Sequence, residues 1–393
     1  MTMPNTIPAL IADLAPSLAA ADSVLREQLQ AHGYVLPPQP GDLTAIARPA
    51  GFAAAKAYPM QGILKYHGLS DWGARIAYLP SISINNAAAY ALTAVEFDPS
   101  LQSDSFAFNG QETTGRALER VQQTLNAVRA LTGITSKARV QSRNVVQTQT
   151  VGKGLGTSAA GGAALALASL AAACGETITS QTRLVTTLAR LLAGSACRAA
   201  AGGLALWLSY PGCPALESYA LRLDTADQLQ DLALITIPID SRVGLATEMA
   251  HHDAPHSPFF RSWLLSRPAE ILECVTACQA GDWRTIGQWA ELDSIRLHGV
   301  TMSGSREQKL FGWEPENIWL FRMCNDLRAQ GVPVYFSTDT GPTTVLLTHR
   351  ASVATVLAAL QQLPLTLETV VSGVGGAAEL VDPTIAMAQL NKG

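Results

Sequence analysis

The sequence predicts a mixed α+β protein built as two lobes behind a short helical arm. Three observations carry that reading. The chain has 393 residues, enough for two domains or one large two-lobed unit. Close to half of them are apolar and 15% are charged, which is ample material for a core. The order of predicted strands and helices is irregular, unlike the βαβα alternation of a parallel doubly wound sheet. The boundaries expected are an arm over 1–44 and lobes over 45–212 and 213–393.

The elements follow in order. IADLAPSLAAADSVLREQLQAHG (residues 11–33) predicts one amphipathic helix ended by Gly33, and VLPPQPGD reads as a linker. No chemistry is visible in this arm, and it is expected to dock or cap outside the catalytic unit. From about 45, AIARPAGFAAAKAYPMQGILKYHGLSD and RIAYLPSISINNAAAYALTAVEFD read as strands and turns, with apolar alternation through Leu92, Ala94 and Phe97. TGRALERVQQTLNAVRALTG predicts a helix with Leu118, Val121, Leu125 and Val128 on its apolar side and Gly133 as its stop. ARVQSRNVVQTQT reads as a strand, and an Ala-rich helix follows it. SQTRLVTTLARLLAGSA is another helix, and GGLALWLSYPG a short strand and turn. Beyond 215 come a buried strand (LALITIPID), paired helices (PAEILECVTACQAGDWRTIGQWAELDSIRLHGV) and a further helix (NIWLFRMCNDLRAQG). VPVYFSTDTGPTTVLLTH reads as strand–turn–strand, and VATVLAALQQL as a last helix.

Composition excludes some functions. The net charge is −4 and the 27 Lys and Arg are scattered, so no basic face points to nucleic acid. A small anionic substrate needs only a few placed cations. The stretch after Gly161 is the most apolar, but it is mostly Ala and suits a buried helix better than a membrane span. The N-terminus has neither the basic region nor the apolar block of a secretory signal. Cys174, Cys197, Cys213, Cys274, Cys278 and Cys324 lack paired metal spacing and read as reduced core residues, which fits the cytoplasm.

The stretch GKGLGTS, Gly152 to Ser158, precedes the Ala-rich helix. Glycines permit tight turns and close approach, and the first N–H groups of a helix lack internal partners and carry the positive end of its dipole. A phosphate satisfies both. The alternative is a close-packed helix entry without a ligand. No Lys-Ser/Thr pair follows the last glycine, so this is not a Walker loop. Three other stretches place one ionisable residue among small or apolar neighbours. Lys65 and Tyr66 sit in ILKYHGLSD, Arg198 in GSACRAAAGGLALW, and Asp339 in YFSTDTGPTTVLL. Each also has an ordinary reading: a solvated strand end, a helix C-terminal cation, a turn former.

Together, KYHGL, GLGTSA, GSACR and DTGP resemble the GHMP kinase superfamily. Within it they are similar to the mevalonate diphosphate decarboxylase family, whose motifs run K-Y-W-G-K, G-L-A-S-S-A, G-S-A-C-R and D-A-G-P. Order and approximate spacing match from about residue 45 onward. The resemblance implies the GHMP two-lobed fold, with a ribosomal protein S5 domain 2-like N-terminal lobe that binds ATP and a ferredoxin-like C-terminal lobe. It implies phosphorylation of the tertiary 3-hydroxyl of a phosphorylated mevalonate, then loss of that phosphate with CO2. Asp339 matches the aspartate that takes or orients the hydroxyl proton, Arg198 the arginine that holds the substrate carboxylate, and Lys65 a lysine close to both Asp339 and the substrate. Gly152, Gly154, Gly156, Thr157, Ser158 and Ala159 match the triphosphate loop, with Mg2+ on the phosphates and Ser158 as its protein ligand. Tyr66, Ser195 and His298 match the substrate side. Tyr66 either meets a substrate phosphate or simply packs. A homodimer is expected by resemblance alone.

Departures from the pattern bear on the substrate. Leu69 and Ser70 stand where diphosphate-using enzymes continue with a second Lys, and IPIDSRVGLATEM keeps Arg242 but loses most of a Lys- and Ser-rich stretch. Fewer cations imply a smaller anionic tail. Pro-x-Gln-Gly before Lys-Tyr, His-Gly after it, and STDTGP resemble the phosphomevalonate decarboxylase branch, whose product is isopentenyl phosphate. The diphosphate substrate is the alternative, and a GHMP kinase that does not decarboxylate a further one. Asp339 and Arg198 together argue against a mevalonate 3-kinase. HHDAPH, His251 to His256, reads as surface histidines rather than a metal cluster. His67 replaces the family's Trp.

Overall fold

The computed structural model describes residues 7–146, 156–226, 228–242, 247–307 and 309–391. Its first sheet has six strands, in the order Glu379–Val381, Gly51–Ala57, Ala89–Asp98, Lys137–Val146, Ser105–Phe108 and Gln111–Glu112. All neighbours are antiparallel except Ser105–Phe108, which runs parallel to Lys137–Val146. Both faces of its centre are covered. Leu92 and Ala94 point to the C-terminal helix Pro383–Leu390, while Val95 and Phe97 point to the Ala-rich helix Thr157–Cys174. The expected alternation therefore splits. With a side-chain period of two, Phe97 belongs to the face opposite Leu92 and Ala94.

The helix Thr157–Cys174 is buried along nearly all its length, in contact with the first sheet and with helices Arg116–Thr132, Thr182–Leu192 and Ala196–Ala201. Alanine and glycine allow these backbones to approach closely. Among the described residues it is the one helix long and apolar enough to cross a membrane, and 83% of it is buried inside the fold.

A second sheet, ordered Ala220–Arg222, Leu204–Trp207, Ser81–Asn85 and Met60–Leu64, is wholly antiparallel. A third, ordered Val334–Thr338, Thr344–His349, Leu232–Ile237 and Val370–Ser372, has Pro315–Ala329 and Val353–Gln361 on one side. On its other side a shared core reaches helices Phe260–Gln279 and Trp283–Gly304 and the second sheet. No sheet breaks at residue 212. Ala220–Arg222 pairs with Leu204–Trp207, and Glu379–Val381 returns from the far end of the chain to pair with Gly51–Ala57.

The arm differs from its expectation. It forms two helices, Ala9–Ala12 and Ala15–Ala31, with Pro16 in the first turn of the second, where its missing N–H costs nothing. Nor does it lie outside the main body. Ile11, Leu14 and Leu18 share one core with Tyr78 and Leu79 of the first lobe and with Phe260, Trp263, Leu264 and Leu297 of the second. Leu25 and Leu29 enter the core between the second and third sheets. The arm is a strap that packs on residues from both halves of the chain.

Candidate active site

The strand Met60–Leu64 carries an irregularity between Gly62 and Leu64 and then leaves the sheet at Lys65. Gly62 has a steric reason. A Cβ there would lie 2.7 Å from Oδ1 of Asp339 and 2.9 Å from Cγ of Lys65. Lys65 is buried, and its ammonium donates to the Gly62 carbonyl at 2.6 Å and to Oγ of Ser337 at 3.0 Å. It lies 3.8 Å from Oδ1 of Asp339. Burial lowers its pKa to about 8, against the opposing pull of Asp339 and Asp293. The solvated strand end is thus excluded.

Asp339 follows the strand Val334–Thr338 and is partly exposed to the same cavity as Lys65. Its carbonyl accepts a hydrogen bond at 2.9 Å from Nε2 of His298, whose ring lies against Trp313 with centroids 4.3 Å apart. Burial takes the His298 pKa down to about 3, so the ring stays neutral at ordinary pH. His298 does not line the cavity. It is packed behind Asp339, between that residue's carbonyl and Trp313.

Arg198 lies on the short helix Ala196–Ala201, in the turn after Gly194 and Ser195, and all three face the cavity. A surface helix-end cation would be solvated; Arg198 is 2% exposed. It donates to Oγ of Ser81 and reaches Sδ of Met60 at 3.4 Å, and its Nε has no hydrogen-bond partner in the fold. Its guanidinium sits 5.3 Å from the Tyr66 ring centroid. Tyr66 meets Trp207 edge-on and stacks on His251 at 5.0 Å.

Gly152 and Gly154 lie outside the described residues. Gly156 has φ +69, and a Cβ there would meet the Met60 carbonyl oxygen at 2.7 Å, so the helix begins in a turn that favours glycine. Thr157 and Ser158 form the first turn of Thr157–Cys174, with no acidic residue in that turn and no side-chain cap, and both face the cavity with Ala159. Two hydroxyls and the positive end of an 18-residue helix suit an anion such as a triphosphate. Among the described residues no group of three His, Cys, Asp or Glu side chains could hold a metal. A divalent cation here would therefore bind mainly to ligand phosphates, with a hydroxyl such as that of Ser158 in support.

These residues surround one cavity of about 680 Å3. It has a second cationic element that sequence reading missed. Arg75, Arg116 and Arg120 also line it. Arg75 and Arg120 donate to the carbonyls of Leu191 and Leu192 respectively, and Arg116 pairs with Glu248. Burial and the neighbouring Arg75 and Arg116 lower the Arg120 pKa to about 10. The (i, i+4) spacing of Arg116 and Arg120 was the available signal. Arg242 instead pairs on the surface with Glu316 at 2.6 Å.

The reading of HHDAPH as surface residues holds only in part. His256 is exposed and His252 half-buried beside Asp253, but His251 lies half-buried in the cavity wall, accepts from the Gly68 N–H at 3.0 Å, and has its pKa lowered by desolvation to about 4. His67 is buried behind it and shares a hydrogen bond with the Thr301 hydroxyl at 3.1 Å.

Known proteins resemble the chain along most of its length. Residues 57–220 match a family described as diphosphomevalonate decarboxylase-like, N-terminal domain. The chain is 35% identical over 336 residues to the phosphomevalonate decarboxylase of Haloferax volcanii, covering 85% of this chain and 99% of that protein. It is 29% identical over 328 residues to the mevalonate 3,5-bisphosphate decarboxylase of Thermoplasma volcanium, covering 84% of each. The solved mevalonate diphosphate decarboxylase of Enterococcus faecalis, described for its substrate-mediated ATP binding, superposes with a TM-score of 0.74 at 26% identity. That match covers 85% of this chain and 99% of the other.

Proposed function

The chain belongs to the mevalonate diphosphate decarboxylase family of the GHMP kinase superfamily, and from that premise we propose that it decarboxylates 5-phosphomevalonate with ATP. The products are isopentenyl phosphate, ADP, phosphate and CO2. The observation that carries the reading is the convergence of Lys65, Arg198 and Asp339 on one cavity with the start of helix Thr157–Cys174.

When bound, ATP would supply the phosphoryl group that makes the tertiary hydroxyl a leaving group, and a Mg2+ would offset the charge of its phosphates with the Ser158 hydroxyl in support. Thr157 and Ser158 hold the triphosphate. The Asp339 carboxylate takes the proton of the 3-hydroxyl, which is a poor nucleophile without it. The Lys65 ammonium stands 3.8 Å from that carboxylate, on the side of the reacting oxygen. Arg198 grips the substrate carboxylate, for which a planar guanidinium is suited. Its unpartnered Nε supports that role, since a buried donor left without an acceptor is costly. When the 3-phosphate departs, positive charge builds at C3, and loss of CO2 quenches it. Arg75, Arg116 and Arg120 receive the 5-phosphate. The proposal includes a cytoplasmic location, in keeping with six buried, unbridged cysteines.

A second reading, the same chemistry on 5-diphosphomevalonate, draws support from those arginines, because three guanidiniums are more charge than one phosphate requires. The test is to incubate the protein with Mg-ATP and each candidate substrate while following ADP and CO2. Both products from the monophosphate is the expected outcome. ADP without CO2 identifies a kinase, and CO2 without ADP from the 3,5-bisphosphate identifies a bisphosphate decarboxylase. Strong preference for the diphosphate selects the second reading.

A further inference from the structure

Lys65 has left its sheet, so its backbone groups need partners from elsewhere. Both partners are charged side chains of the second lobe. The Lys65 N–H donates to Oδ2 of Asp293 at 2.5 Å, and the Lys65 carbonyl accepts from Nη2 of Arg267 at 3.1 Å. That same nitrogen bonds Asp293 at 2.8 and 3.0 Å, so the two side chains and one peptide residue close a ring. Asp293 also accepts from the indole of Trp263 at 3.0 Å. Asp293 and Arg267 are both fully buried. Glu270 and Arg296 complete the group with two charges of opposite sign, so the cluster is neutral as a whole.

A salt bridge this deep is a poor source of stability, because desolvation offsets most of its attraction. Lys65, by contrast, gains a fixed position. We propose that Asp293, held by Arg267, is the positioning residue for Lys65: it clamps the backbone so that the ammonium stands beside Asp339, and it adds a negative charge behind that ammonium. This rests on the reading of Lys65 as part of the reaction.

The charged groups facing the ammonium come from every element around it. Asp339 follows the strand Val334–Thr338. Arg198 comes from Ala196–Ala201, Arg267 from Phe260–Gln279, and Asp293 and His298 from Trp283–Gly304. The two carboxylates favour its charged form and the two guanidiniums oppose it. Replacing Asp293 by Asn keeps an acceptor for the Lys65 amide and removes the charge.

The experiment compares Asp293→Asn, Lys65→Ala and the double variant in full-length protein. Turnover, KM for both substrates, and the pH profile of kcat/KM are measured. Asp293→Asn should lower kcat by about ten- to hundredfold with KM for ATP unchanged, and should move the alkaline limb of the profile to lower pH. Added to Lys65→Ala, it should cost nothing further in kcat. If Lys65→Ala keeps wild-type turnover, the reading of Lys65 is wrong. If Lys65→Ala loses turnover while Asp293→Asn leaves both kcat and the limb in place, or adds its full loss to Lys65→Ala, the clamp is wrong. Should Asp293→Asn not fold, Trp263→Phe removes one of the hydrogen bonds on Asp293 and should lower kcat in the same direction; unchanged kcat there overturns the proposal.

Discussion

Two parts of the cavity are built on opposite electrostatic plans. Around Lys65 two of the buried cations are matched by carboxylates. Lys65 faces Asp339, Arg267 faces Asp293, and neutral His298 supports the Asp339 backbone. Elsewhere in the lining Arg75, Arg116 and Arg120 crowd together, and of these Arg116 alone has an ion pair among the described residues, with Glu248. A balanced, dehydrated site holds its geometry when empty, which suits proton transfer and charge movement. An unbalanced site is relieved by a multiply charged anion, which suits recognition. The difference divides turnover from affinity, and each prediction tests that division.

The largest effect belongs to the part around Lys65. Asp339→Asn should cut turnover by about a hundredfold or more and leave ATP binding near that of the unchanged protein. Paired measurements of CO2 release and nucleotide affinity check this, and normal turnover would remove Asp339 from the chemistry. Next comes the arginine group. Arg120→Ala should raise KM for the phosphorylated substrate by roughly tenfold or more, the worth of a charge-assisted hydrogen bond, with a much smaller change in kcat. An equal loss in kcat would erase the distinction between the two parts.

A pH effect follows in size. His251 and His298 are held neutral with pKa values of about 4 and about 3, and burial also pulls His67 well below its usual value. The unfolded chain takes up protons near pH 6.5, before the folded chain does. The stability these rings contribute is present above 6.5 and is lost as pH falls from 6.5 through about 4 and toward 3. Melting temperature against pH should show that decline, and His298→Gln should flatten its lowest part. The smallest effect is expected from Glu248→Gln. Its ion pair with Arg116 is largely exposed and worth about 0–1 kcal/mol, so freeing Arg116 should lower KM by no more than a few fold.

Local chemistry made much of this visible in sequence. The glycines, the Lys-Tyr pair, GSACR and DTGP are contiguous, so these residues could be found without coordinates. What stayed hidden depends on distant partners. Asp293 reads as an ordinary helix residue until the Lys65 peptide is seen against it. Arg75 and the Arg116–Arg120 pair are about 40 positions apart and look like solvated charges until the helix Arg116–Thr132 is set beside the cavity. His251 hides in a polar run because its burial comes from stacking on Tyr66. Phe97 shows the same limit within a strand: in a sheet covered on both faces, apolar residues at even and odd positions look alike.

The strap also sets a schedule for synthesis. Ile11, Leu14 and Leu18 leave the ribosome before any of their seats exist. Tyr78 and Leu79 arrive soon after, but Trp263 and Leu297 are made only when most of the chain is out. Until then an amphipathic segment stands exposed on the nascent protein, open to chaperones or to a wrong partner. Completion of the Lys65 site and docking of the arm wait on the same late helices, so a chain halted before Leu297 has neither.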